Sequence, residues 1–441
     1  LKMRLKQQDI LLYMFLCINI LCRRHSLSQT RNQVQKAINK YFQELSSTME
    51  SPDEDLSTTF YKQRQSNKNT NLRGLKLKYR NFSELDLYLG GKSKYLTSFR
   101  PFLKKNMDFK NLDEEHLKVL LNEVFNEPRN HIYNKDLKTS VGLLIGWIFA
   151  QNGSIVGVQN FSPKQFLYLF GGKEVEGLNI ISILPGAYWG TPMDKIIVVG
   201  SHYDTVEISA GYNDNGSGTT ALLKIHQNLS KSKKCSGERR FSIIFVAFDL
   251  EEYGFHGSHA FVEEFLKPQI IDKFNQTDFQ FAFILDSIMN YNKTEGSQKL
   301  YNDASSSTSA YYDFVMGNKQ RGDYISLVGR GKEESALIDE VKRDMKIKTT
   351  GIILEDLDIT SMDKLSKHFN YLRSDHIKFW FANLTAIAVT DTGNLRGIMQ
   401  TCYHNSCDHP SLNTTGVPFA NMNFMNGIID GITNMIDKHS C

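Results

Sequence analysis

Phe241-Ser242-Ile243-Ile244-Phe245-Val246-Ala247-Phe248 runs without a charge and then breaks into Asp249-Leu250-Glu251-Glu252-Tyr253-Gly254. An apolar run of this length without strict alternation reads as a strand buried on both faces, the habit of a parallel sheet covered by helices. Two adjacent glutamates at the end of such a strand, stopped at once by a glycine, do not form an ordinary solvated charge run. One can ligate a metal while the other faces a reacting water as general base.

The same pattern recurs on both sides of this stretch. Strand-like runs lie at Ile180–Leu184, Ile196–Gly200, Phe279–Leu285, Ile325–Val328 and Thr385–Val389. Helical periodicity falls at Glu114–Phe125, around Leu137–Gln151, and at Ser217–Leu229, Ser258–Leu266, Glu333–Met345 and Ala420–Lys438. Strands alternating with helices predict an α/β fold, a single globular domain with a largely parallel central β-sheet flanked by helices. Ligands in such folds gather at the carboxyl ends of the strands.

Four further polar clusters sit at or near those ends. Val198-Val199-Gly200-Ser201-His202-Tyr203-Asp204-Thr205 places a His and an acid at i and i+2, on one side of the chain. Imidazole is a good zinc ligand, and its second ring nitrogen needs an acceptor such as Asp204 to set the tautomer. Gly211-Tyr212-Asn213-Asp214-Asn215-Gly216-Ser217-Gly218 gives the backbone freedom for an unusual path into a helix, and an acid held this way can bridge two cations. Asp286 ends the run Phe281-Ala282-Phe283-Ile284-Leu285, and His404 lies in the loop Tyr403-His404-Asn405-Ser406-Cys407-Asp408 after the last strand. Each cluster alone is weak. Together, two His and three carboxylates plus one free Glu match an oxygen/nitrogen site for two zinc-like ions.

This ordered set resembles the co-catalytic di-zinc aminopeptidases, whose relatives include glutamate carboxypeptidase, the transferrin receptor and glutaminyl cyclase. The resemblance covers roughly residues 115–438 and is strongest over His202–Ser258. It implies two zinc ions per chain, one held by His202 and Asp286, the other by Glu252 and His404, with Asp214 bridging. It also implies Glu251 as catalytic base, Asp204 as the partner of His202, and a cis peptide after Asp214. Tyr371-Leu372-Arg373-Ser374-Asp375-His376 resembles the family's Tyr-x-x-Ser-Asp-His segment, which implies that Tyr371 helps to bind the oxyanion. Two departures stand out: Leu250 where a small residue often precedes the Glu pair, and Ser287 where Met is frequent. The function so implied is a zinc-dependent metallo-exopeptidase, an aminopeptidase acting on peptides with a free N-terminus. A glutaminyl cyclase-type acyl transferase, a carboxypeptidase or dipeptidase, and a catalytically inactive receptor-like binding module are the alternatives on the same fold.

Composition narrows the remaining classes. The chain has 441 residues, 41% of them hydrophobic and 23% charged, which excludes a disordered or collagen-like protein. Residues 1–80 hold 15 Lys/Arg against 6 Asp/Glu, so the remainder is net acidic within a total of +4, and a nucleic-acid footprint on the main body is not expected. Lys2, Arg4 and Lys6 before the apolar run Ile10–Cys22 predict a signal peptide or short N-terminal anchor over 1–28, with Ser26-Leu27-Ser28 as a cleavage site. No other stretch reaches 18 apolar residues, so no membrane contact beyond that anchor is expected. Residues 29–84 read as a polar arm or pro-segment, and 85–441 as the di-zinc peptidase domain. Secretion, or residence in the lumen of the secretory pathway, follows from this N-terminus. Acceptors for N-glycosylation occur at Asn81, Asn152, Asn160, Asn215, Asn228, Asn275, Asn292, Asn383 and Asn413; of these, Asn215 lies in the proposed site and should stay unmodified. Cys402 and Cys407 are close enough to close a small disulfide loop, while Cys235 and Cys441 have no evident partner. Gly90-Gly91-Lys92-Ser93 lacks the earlier glycine of a phosphate-binding loop, with Asp86 in its place, and neither G-x-S-x-G nor H-E-x-x-H occurs.

Overall fold

The computed structural model describes residue 109 and residues 111–163, 174–235, 238–273, 278–301, 308–331, 333–414 and 420–441. The chain divides into units 1–70 and 71–441, and the first unit lies wholly outside the described residues. The expected signal segment 1–28, the polar arm 29–84 and the start of the peptidase domain at 85 therefore all fall outside them.

Among the described residues eight strands form one sheet: β1 (Ile155–Phe161), β2 (Gly177–Leu184), β3 (Lys195–His202), β4 (Ser242–Phe248), β5 (Asp278–Leu285), β6 (Ile325–Arg330), β7 (Thr349–Leu354) and β8 (Ala386–Thr390). Their order is β1-β2-β4-β3-β5-β8-β6-β7. The central block β4-β3-β5-β8 is parallel throughout, as is β6 with β7. Antiparallel pairing enters only toward the two sides, at β1/β2, β2/β4 and β6/β8. Every residue of β4 is buried, which explains why its run carries no alternation. The edge strands are different. β7 alternates half-exposed with buried residues and β1 includes Gly157, Gln159 and Asn160, so neither announced itself as an apolar run.

The helices are α1 (Glu114–Val119), α2 (Lys135–Gln151), α3 (Gly218–Lys231), α4 (His256–Ala260), α5 (Ser309–Gly317), α6 (Ser335–Asp344), α7 (Met362–Lys367), α8 (His376–Phe381), α9 (Met399–Cys402) and α10 (Met422–Ser440). Alternate strand residues decide what each face receives. Ile197, Val199, Phe245 and Ala247 share a core with Val141 and Leu144 of α2, Leu222 of α3 and Ile428 of α10. On the other face Phe248 meets Phe261, at 5.7 Å between ring centroids, and Phe261 meets Phe379 of α8 at 6.2 Å.

Parallel register brings the carboxyl ends of the central strands level. His202 pairs with Phe248, three residues before Glu251, and Gly200 pairs with Ile284, two residues before Asp286. Three of the anticipated groups are thus neighbours by backbone geometry alone. Among the described residues no helix is long and apolar enough to cross a membrane.

Candidate metal centre

The chain leaves β3 at His202 and enters a buried loop that ends at the N-terminus of α3. Gly211 takes a left-handed φ of 59°, and a Cβ there would sit 2.2 Å from the Asp214 carbonyl oxygen. Only glycine fits this turn. The Asp214–Asn215 peptide is cis. Asn215 is fully buried and completely engaged: its Nδ2 donates to Ser201 Oγ and the Leu285 carbonyl, and its Oδ1 accepts from the Gly218 and Ser287 amides. It ties the ends of β3 and β5 to α3 and is enclosed by them. Asn160 and Asn383, by contrast, are exposed.

The Asp214 carboxylate lies between two imidazoles. Its Oδ1 is 3.4 Å from His202 Nε2, and its Oδ2 is 3.2 Å from His404 Nε2. Asp286 Oδ1 approaches His202 Nε2 at 3.9 Å, and Glu252 Oε2 approaches His404 Nε2 at 3.0 Å. All five expected ligands therefore converge on two adjoining points that share Asp214. Glu251 offers an oxygen to the first point: ligand atoms of His202, Glu251 and Asp286 lie within 4.8 Å of one another.

The residues present fit a pair of zinc-like ions on a direct observation. His202 Nε2, His404 Nε2, Asp214 Oδ2 and Glu252 Oε1 are all buried and make no aligned hydrogen bond. Buried polar groups are normally satisfied, so four unsatisfied ligand-type atoms within this cluster mark a cation site. The charges agree. Burial works against a charged His404, yet Glu252 and Asp214 outweigh it and push the imidazole up to about 10 in the metal-free protein. His202 is likewise raised, its desolvation overcome by Glu251, Asp204, Asp214 and Asp286. Such a surplus of negative charge is what divalent cations neutralise.

Asp204 acts differently from the simple His–acid pair expected. His202 Nδ1 lies 3.2 Å from the Asp204 backbone carbonyl and 3.6 Å from its carboxylate. The carboxylate oxygens instead accept the backbone N–H groups of Glu251 and Glu252. Leu250, just before the pair, has a φ of +57°, and Ser287 has one of +54°. A left-handed L-residue costs roughly 1–2 kcal/mol through its Cβ, a cost that only glycine would escape at the Leu250 position. Burial, aided by the charges of Glu252, Asp375 and Asp286 and opposed by His202, holds the Glu251 carboxyl well above the usual carboxylate range.

Tyr371 is buried and lines a cleft that also includes Asp286, Tyr301, Arg373, Asn394 and Tyr403. The cleft opens beside the metal centre, because the Tyr403 ring stacks on the His404 ring at 3.9 Å. Cys402 and Cys407 are disulfide-bonded and close the loop that carries His404. Cys235 and Cys441, which have no evident partner in sequence, form a second disulfide. They lie 206 residues apart, and the packing of α10 against α3, with Arg239 and Ser232 bonded to Asp437, brings them together.

The model of peptidase family M28 matches residues 179–418, more than half of the chain. The chain belongs to that family. Aminopeptidase YwaD of Bacillus subtilis (strain 168) is 40% identical over 75 residues, 17% of this chain and 15% of that protein. Aminopeptidase Y of Saccharomyces cerevisiae is 26% identical over 180 residues, 37% of this chain and 31% of that protein. The uncharacterized protein YfbL of Escherichia coli (strain K12) is 24% identical over 218 residues, 48% of this chain and 59% of that protein. The matched stretch thus spans less than two thirds of the length of each of these relatives. Among solved structures, the LapA aminopeptidase of Legionella pneumophila is similar at 14% identity, with a TM-score of 0.49 and coverage of 75% of this chain and 73% of that one. All the converging residues of this M28 chain fall inside the stretch matched by the family.

Three supporting residues carried no legible signal in sequence. Asp408 accepts the backbone N–H groups of Asn213 and Asp214 at 2.8 and 3.1 Å. Asp391 accepts from Asn213 Nδ2 and from the Asn290 amide. Arg373 stands in the cleft wall. Asp391 and Asp408 are fully buried, which a loop position in the sequence does not reveal.

Proposed function

We propose that this M28 protein is a zinc-dependent metallo-exopeptidase, an aminopeptidase that removes N-terminal residues from peptides. The observation that carries this reading is the division of the Asp214 carboxylate between His202 and His404, with Asp286 and Glu252 completing the two points. His202 and Asp286 would hold one zinc and Glu252 and His404 the other, with Asp214 shared by both. Bound there, the pair would supply Lewis acidity, lowering the pKa of water toward neutrality and polarising a carbonyl.

The chain's own groups divide the remaining work. Glu251, whose carboxyl burial holds well above the usual carboxylate range, takes the proton of the attacking water and returns it to the leaving amine as the C–N bond breaks. The Tyr371 hydroxyl donates to the carbonyl oxygen as that oxygen becomes anionic. Asp204 holds the backbone of the base and of one ligand in place. The free ammonium of the substrate docks among the carboxylates, which favours an amino terminus over a blocked one. Secretion or lumenal residence suits the two disulfides, since such bonds persist in oxidising compartments.

The test is metal analysis followed by chelation and readdition, assayed on aminoacyl chromogenic substrates and on peptides with either end blocked. The expected result is about two zinc ions per chain, with hydrolysis lost on chelation, restored by zinc and abolished by N-terminal blocking. Hydrolysis that is indifferent to chelation, or that persists on N-blocked peptides, overturns the reading.

A further inference from the structure

Arg373 differs from the other enclosed arginines. Arg330 is paired with Glu334 at 2.6 Å and Arg239 with Asp437 at 2.8 Å. Arg129 and Arg396 are fully buried and locked onto carbonyl oxygens. Arg373 is half-buried in the cleft wall, and all its partners are neutral: Nη1 donates to Tyr301 Oη at 3.2 Å and Asn394 Oδ1 at 3.3 Å, and Nη2 to Tyr403 Oη at 2.9 Å. Its guanidinium also lies 5.3 Å from the centre of the Tyr403 ring. Among the described residues no carboxylate oxygen comes within ion-pair distance of it. These bonds use three of the five N–H donors a guanidinium carries.

A positive charge so placed is oriented by its neighbours and, among the described residues, neutralised by none of them. Asp286 lines the same cleft, but both it and Asp214 pair with imidazoles of the proposed metal centre rather than with Arg373. A guanidinium fork matches a planar carboxylate, and a half-desolvated charge gains most from an anion that arrives with the substrate.

We infer that Arg373 is the anion-recognising group of the substrate cleft, receiving a carboxylate carried by the peptide. That carboxylate is either an acidic side chain on the N-terminal residue or the free C-terminus of a dipeptide. The inference rests on the exopeptidase reading and sharpens it, because it names the substrate class.

The test uses zinc-loaded protein carrying Glu251→Gln, so that peptides stay intact, with affinities measured by calorimetry. One arm compares Leu-Leu with Leu-Leu-amide, and the other Glu-Leu-amide with Gln-Leu-amide. The acid is expected to bind at least about tenfold more tightly than its amide in one arm, as a charged hydrogen-bonded pair should. Which arm responds identifies the source of the carboxylate. Adding Arg373→Gln is expected to bring that ratio within about threefold, while Arg373→Lys keeps a reduced preference for the acid and serves as the folded control. A ratio near one in both arms, or a ratio that survives Arg373→Gln, overturns the inference. If the wild-type protein cleaves none of these peptides, the exopeptidase reading fails separately, and the binding ratios still decide the role of Arg373.

Discussion

Asp204 Oδ1 accepts the backbone N–H of Glu251 at 3.1 Å, and its other oxygen accepts that of Glu252 at 3.3 Å. One buried carboxylate at the end of β3 therefore sets the path of the turn after β4, and with it the positions of the proposed base and of one ligand. Asp204→Ala is expected to lower activity or metal affinity by about 10- to 100-fold, the usual cost of removing a group that orients ligands. Turnover measured alongside zinc titration checks this; an unchanged kcat and unchanged metal retention would refute it.

Glu251→Gln keeps the shape of the side chain and removes its basicity. Metal content should stay at the wild-type level, while kcat falls by at least about 10²-fold. Elemental analysis and steady-state kinetics on the same preparation read both quantities, and near-normal turnover would exclude Glu251 as the base.

Gly218 opens α3 against the end of β5. A Cβ there would lie 2.7 Å from the Leu285 carbonyl oxygen, 2.3 Å from Asn215 Oδ1 and 2.8 Å from Ser201 Oγ. The carbonyl belongs to the central sheet and cannot swing aside. Gly218→Ala should therefore destabilise the protein by about 1–3 kcal/mol despite its better helix propensity. Denaturant melts will register the loss, and a variant as stable as wild type would show that the loop yields freely.

His226 packs between Phe149 and Phe245, at 4.7 and 4.8 Å between ring centroids, and burial lowers its pKa to about 3. It stays neutral in the fold while its unfolded counterpart takes a proton below about 6.5. Its contribution is thus complete above that pH and is lost as pH falls toward 3, with a slope of up to about 1.4 kcal/mol per pH unit. His226→Gln should flatten the acid limb of stability, measured by urea melts of metal-free protein between pH 6.5 and 4.5. Equal slopes in the two proteins would contradict this.

The central strands were readable because burial on both faces leaves an unbroken apolar run, as in β4. β1 and β7 were not, since edge strands mix polar residues with apolar ones and resemble loops. Among the site groups, Glu251 and Glu252 stood out by their position after a strand, and His202 by the same argument. Asp408 and Asp391 look like surface acids in sequence. Their role is visible only in their burial and in the backbone amides they receive. Cys235 and Cys441 illustrate the same limit, because separation along the chain hides proximity in space.

The sequence by itself determined where the core strands and helices run and which chemical groups follow each strand, because hydrophobic periodicity and side-chain chemistry are properties of short stretches. The tertiary structure alone decided how one Asp214 carboxylate divides its oxygens between His202 and His404, that Asp204 serves backbone amides, and that among the described residues Arg373 has no acidic partner. Those outcomes depend on parallel register and on loops from distant parts of the chain meeting at one end of the sheet, and no local pattern encodes them.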